Sequence, residues 1–226
     1  MLVIKKVVSC TLKTTFIIME DLLTLTNVII GITVATSVIA FSNAEERDKM
    51  LFAPYIVKRK KEYYRFISSG LIHGDWWHLL FNMFTFFSFG NLVELYYKDI
   101  FGSLGAFVYL ILYFGGMVAS EMITYKTHQD NPHYRNLGAS GAVSSVLFSF
   151  ILFDPWAKLY LMFIPVGIPA VLLGVAYMAY SYYASQRVQD GIAHDVHFYG
   201  ALFGLLFTIV MKPAVLLSFV HQLMGQ

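Results

Sequence analysis

Three polar clusters interrupt a chain that is otherwise rich in apolar residues. The stretch HGDWWHLLFN carries His73, His78 and Asn82. GASGAVSS carries Ser140, Ser144 and Ser145, and AHDVHFYGALFG carries His194, His197, Gly200 and Gly204. Polar groups within apolar runs long enough to span a membrane are costly there and point to function by default. A serine hydroxyl is a weak nucleophile until an imidazole takes its proton, so a serine and a histidine that can meet imply acyl transfer. Imidazole and amide N–H groups beside them could stabilise the developing oxyanion.

Spacing shows which side chains share a face. His78 and Asn82 are four apart and lie together on a helix, whereas His73 stands five before His78 and belongs at the helix entrance. His197, Gly200 and Gly204 share a face, and the two glycines form a ridge that admits another backbone. Gly141 and Ser145 form a similar ridge. Packing the two together would carry His197 toward Ser140, each near the start of its helix, where backbone N–H groups such as that of Ser140 are free. No carboxylate completes a triad. Asp154 lies 14 residues beyond Ser140, about 21 Å along a helix, and Asp195 is two residues from His197 and off its face. The expectation is a Ser–His dyad.

Each motif alone has a plainer reading. GASGA suits helix packing, His197 a hydrogen-bonded packing histidine, and His78 with Asn82 an interhelical clasp. Their joint occurrence favours catalysis. Metal chemistry has little support among the seven histidines: there is no HExxH, and only His194 and His197 stand at i,i+3. No cofactor is expected. A transporter is disfavoured because the chain lacks repeated halves and a paired acidic relay.

The elements that must position these residues follow from composition. Of 226 residues, 58% are hydrophobic and 13% charged, with a mean hydropathy of +0.62, against about 25% charged in soluble domains. The fold class expected is an all-α integral membrane protein. A net charge of +2 gives no case for nucleic acid, and a lone cysteine, Cys10, excludes an internal disulfide framework. Six apolar runs are predicted as spans, at about 22–41, 76–97, 104–125, 139–153 (short), 159–183 and 196–211. Residues 1–21 are read as an N-terminal extension with a more natural start at Met19, 22–212 as one six-helix membrane domain, and 213–226 as a short tail. The long segment between the first two runs mixes charge with aromatic residues and should form short interfacial pieces. Trp76 and Trp77 read as interfacial anchors. An even number of spans puts both termini on one side. The charge count would face the first loop, with Arg47, Lys58, Arg59, Lys60, Lys61 and Arg65, inward.

In order, these clusters resemble the HxxxxHxxxN, GxSG and HxxGxxxG patterns of the rhomboid intramembrane serine proteases, of the basic six-span bacterial kind. The resemblance covers roughly residues 22–212. It implies that Ser140 is the nucleophile and His197 the general base. His78, Asn82 and the Ser140 backbone would line the oxyanion hole, with His73, Gly138, Gly141, Gly200 and Gly204 in support. Tyr64-Arg65 falls where the family has Trp-Arg, and Glu94 resembles a glutamate that ties helix to loop. The resemblance further implies a transmembrane protein substrate cut after a small residue, a lipid bilayer as surroundings and a bacterial inner membrane. It places the site just below the extracytoplasmic surface, opposite to the charge count, with the fifth span and SQRVQDGIAHD as gate and cap. A catalytically inactive relative that escorts membrane helices is the rival, against which both dyad residues count. Two features depart from the family pattern. Ser144 stands where some members have a Tyr or Phe ring that packs on the histidine, leaving another aromatic, with Tyr199 or Phe198 nearby, or a less restrained imidazole. His194 is an extra histidine one turn before His197, and the glycine register argues for His197 as the base.

Overall fold

A computed structural model describes residues 23–160, 166–188 and 191–225; the N-terminal extension expected at 1–21 lies outside the described residues. Helix α1, Leu25–Ser42, starts where Thr24 accepts a hydrogen bond from the Asn27 N–H. The loop that follows folds into three short helices, α2 (Ala44–Met50), α3 (Pro54–Lys60) and α4 (Arg65–Ser68). Asp75 then caps α5, Trp76–Phe101, by accepting from the His78 N–H. A turn through Gly102 leads into α6, Gly105–His128.

Helix α7, Ser140–Phe153, is buried on nearly every face from Gly141 to Leu152. A helix apolar all round belongs in a core, and α5, α6 and α9 (His194–Met211) wrap this one. Its 14 residues reach about 21 Å, short of the roughly 30 Å hydrocarbon layer. Helix α1, the α5–α6 pair and α9 are long and apolar enough to cross a membrane. Polar side chains knit the centre: the Tyr97 hydroxyl lies 3.1 Å from Ser149 Oγ and 2.9 Å from Thr208 Oγ1, joining α5, α7 and α9.

The fifth predicted run needs correcting. No helix begins at Leu159: Lys158–Leu159 (β1) pairs antiparallel with Ile168–Pro169 (β2), and α8 starts at Ala170 and ends at Arg187. An apolar run does not distinguish helix from hairpin, whereas Gly167 and Pro169 do: proline donates no N–H and sets the residue before it extended. The expected C-terminal tail contains a further helix, α10 (Ala214–Leu223), fastened to the end of α7 by a hydrogen bond from Trp156 Nε1 to the Gln222 carbonyl, 2.9 Å.

The first loop is built into the fold. Phe52 and Asn136 exchange backbone hydrogen bonds of 2.8 and 3.0 Å, tying that loop to the segment that leads into α7. Arg65, buried, donates to the carbonyls of Asp48 (2.9 Å) and Leu51 (2.7 Å) and to Glu62 (2.7 Å). The Arg65 guanidinium holds the Glu62 carboxyl below its ordinary range. At the other end of the bundle, buried Glu94 ties α5 to the start of α1. It accepts from the backbone N–H groups of Leu25 and Thr26, from the Thr26 hydroxyl and from Lys98.

Candidate active site

One cavity, about 1610 Å³ in volume, receives Ser140, His197, His78 and Asn82. Three helical stripes bound it. Helix α5 supplies His78, Phe81, Asn82, Thr85 and Phe89; α7 supplies Ser140, Val143, Ser144, Leu147 and Ile151; α8 supplies Ala170, Leu173, Gly174 and Tyr177. Each set repeats at three and four residues, so each is one face of its helix. From Ser140 to Ile151 the floor runs about 16 Å. Trp76 and Trp77, both exposed, stand at the start of α5. Asn82, six residues beyond Trp76, lies about 9 Å further along the helix.

Two glycine contacts bring α7 and α9 together. A methyl at Gly200 would lie 2.9 Å from both the Cα and the carbonyl carbon of Gly141, and closer still to its oxygen. A methyl at Gly204 would likewise meet the backbone of Ser145. Ser145 Oγ spans the junction, 2.9 Å from the carbonyl oxygens of Gly141 and of Gly200, which share its one hydrogen. The predicted ridge-on-ridge packing is therefore what the fold uses. His197 lines the cavity, while His194 is buried outside its lining with Tyr180 set edge-on at 5.5 Å. Asp195 faces elsewhere: its carboxylate accepts from Thr124 at 2.7 Å.

The turn before α7 is shaped by its neighbours. Gly138 has φ +119°, a conformation side chains rarely adopt, and a Cβ there would meet the His78 ring at 2.6 Å. His73 is fully buried behind this turn, its ring edge-on to His78 at 4.9 Å. Its Nε2 accepts from the Ala139 N–H at 3.4 Å, so Nδ1 carries the proton toward Ser37 Oγ, 3.0 Å away. Burial pushes His73 down to about 3, which keeps it neutral. Helix α7 has no side-chain cap, which leaves first-turn N–H groups for another acceptor. Asn82 Nδ2 donates one hydrogen to the His78 carbonyl, 3.0 Å, and has a second to offer.

A family model described as a rhomboid domain matches residues 60–214. The chain belongs to the rhomboid family. Among its relatives is the RHOMBOID-like protein 12, mitochondrial, of Arabidopsis thaliana, 31% identical over 147 residues, a match covering 60% of this chain and 42% of that protein. Rhomboid protein 1, mitochondrial, of Saccharomyces cerevisiae is 28% identical over 152 residues, covering 66% of this chain and 42% of that one. This rhomboid thus spans under half the length of these two relatives. Both are mitochondrial by name, so a bacterial inner membrane draws no support from them. A multi-pass membrane protein is what the helices and the family support.

The ring beside His197 comes from a place the motifs do not indicate. Tyr177, on α8, lies parallel to the imidazole, with centroids 6.1 Å apart and planes 19° apart. Its hydroxyl is 2.8 Å from Ser144 Oγ. Phe198 packs on Tyr182 and Tyr199 instead. The available signal was the α8 face Ala170, Gly174, Tyr177, Ser181, Ala184: four buried small residues and one aromatic.

Proposed function

We propose that this rhomboid is an intramembrane serine endopeptidase that cleaves transmembrane segments of membrane proteins through a Ser140–His197 dyad. What carries the reading is the single cavity lined by Ser140, His197, His78 and Asn82, on three helices. Family membership supports it. Ser140 Oγ attacks the scissile carbonyl while His197 takes its proton. The oxyanion is met by His78, by Asn82 and by the Ser140 N–H. His197 then gives the proton to the leaving amine, and water, activated by the same imidazole, frees the acyl-enzyme. Asp195, engaged by Thr124, takes no part.

A helical substrate hides its carbonyls in its own hydrogen bonds and must unwind before attack, so helix-weakening residues near the cut favour cleavage. The trough between α5 and α8, floored by α7, offers room for such a segment. The deciding experiment reconstitutes the protein in liposomes with a fluorogenic transmembrane peptide and a fluorophosphonate probe. Cleavage and labelling are expected in wild type and in His194→Ala, and lost in Ser140→Ala and His197→Ala. Undiminished cleavage by Ser140→Ala would end the protease reading, and loss confined to His194→Ala would replace the base. An inactive escort would bind the peptide without cutting it.

A further inference from the structure

We infer that Tyr177, held by Ser144, is the positioning residue for the imidazole of His197, so that the base is restrained from α8 and not from the helix that carries the nucleophile. This rests on the protease reading above. Three observations carry it. The Tyr177 ring lies parallel to the imidazole, 19° between planes, within the range in which offset rings attract. The Tyr177 hydroxyl is 2.8 Å from Ser144 Oγ, and Ser144 is itself buried in α7, one turn after Ser140. A tyrosine fixed at both ends of its ring cannot swing away from the histidine without breaking a buried hydrogen bond. Finally, Gly174, one turn earlier on the same face, lets α8 approach Ile151 and Phe148 of α7, which sets Tyr177 at this depth.

The arrangement makes Ser144 intelligible. A small polar residue there leaves space for a ring from α8 and supplies the oxygen that anchors it. Ring and anchor are separate residues on separate helices, so they can be tested separately.

The test is steady-state cleavage of the fluorogenic transmembrane peptide in liposomes by six variants. Tyr177→Ala should lower kcat by about 10- to 100-fold with a much smaller change in KM, because the base loses its orientation while the substrate loses one of many lining side chains. Tyr177→Phe and Ser144→Ala each remove only the anchor and should lower kcat about three- to tenfold. Combining them should cost no more than either alone. Ser144→Phe in the Tyr177→Ala background should recover most of kcat by supplying a ring from α7. Tyr180→Ala, whose ring meets His194 and is mostly exposed, should match wild type.

A Tyr177→Ala enzyme with unchanged kcat, or one whose defect lies in KM, overturns the inference while leaving the protease standing. Additive losses in the double variant do the same. If Tyr177→Ala does not fold, the two anchor variants, which change little volume, decide alone. A wild type that neither cleaves nor labels removes the protease reading and this inference with it.

Discussion

Gly200→Ala is a one-methyl change with a consequence that can be worked through. The new Cβ would stand 2.9 Å from two backbone carbons of Gly141 and closer to the carbonyl oxygen. Carbon atoms rest at about 3.5–4.0 Å, so relief needs α9 to withdraw from α7 by about 1 Å. No side chain can rotate aside, because the obstacle is backbone. His197 sits three residues before Gly200 on the same helix and moves with it. A 1 Å misplacement of a catalytic group costs about 100-fold in rate, and overpacking costs about 1–3 kcal/mol of stability. We expect kcat/KM on a transmembrane peptide to fall about 100-fold, and the thermal midpoint in detergent to fall. Gly31→Ala is the matched control: it lies within α1, and nothing would stand within 4 Å of its Cβ. Activity should be unchanged there and stability equal or higher, since alanine is favoured over glycine in a helix by up to about 1 kcal/mol. A Gly200→Ala protein within threefold of wild type and with the same midpoint would show that backbone contact does not set the position of His197.

Other expectations concern the frame around the cavity. Glu94→Gln keeps one acceptor but turns an amide N–H₂ toward the donor at either Leu25 or Thr26; we expect a loss of about 2 kcal/mol in unfolding measurements. Turnover by the folded fraction should be normal, because Glu94 is 12 residues along α5 from Asn82, about 18 Å. Arg65→Lys keeps the charge but loses the fork that reaches Glu62, Asp48 and Leu51 together. It should lower the midpoint nearly as far as Arg65→Ala, and equality of Arg65→Lys with wild type would refute the role of the fork. His73 is neutral in the fold, pushed down to about 3 by burial, against about 6.5 when unfolded. Its contribution is whole above about pH 6.5 and is lost as pH falls from there toward 3, by about 2 kcal/mol between 6.5 and 5. His73→Gln should be less stable at pH 7 and show a flatter decline below 6.5; parallel profiles for the two proteins would refute this.

Much of this was legible from spacing because helices enforce it. Gly200 and Gly204 stand three and seven beyond His197, so a shared face followed from the helical period, and so did their meeting with Gly141 and Ser145. The runs predicted at about 76–97 and 104–125 from apolar length correspond to helices at 76–101 and 105–128. What could not be read were contacts set by a chain reversal. The antiparallel pairing of 158–159 with 168–169 delays α8 to Ala170. That delay fixes which face of α8 turns inward, and so which of its four tyrosines, 177, 180, 182 or 183, meets His197. Sequence proximity favoured Phe198 and Tyr199, but residues adjacent on a helix point in different directions from their neighbour. Ser144 looked like a missing ring because its partner lay 33 residues away and across a turn.

The two kinds of packing around α7 divide the labour of the site. Against α9 it packs backbone to backbone, with Gly200 on Gly141 and Gly204 on Ser145, and a serine hydroxyl spans the seam. Such a contact has no rotamers to give and holds the helices that carry Ser140 and His197 close together. Against α8 it packs through side chains: Ile151 and Phe148 at Gly174, and Ser144 at Tyr177. Contacts of that kind part more cheaply, because side chains can turn and a hydroxyl can exchange its partner for water. The proposed protease activity, which admits a membrane helix to a partly buried Ser140–His197 pair, would use both kinds of contact. On the protease reading, the backbone seam that carries Ser140 and His197 resists parting more than the side-chain contacts of the α8 wall. Tyr177 lies on that wall with its ring parallel to the His197 imidazole.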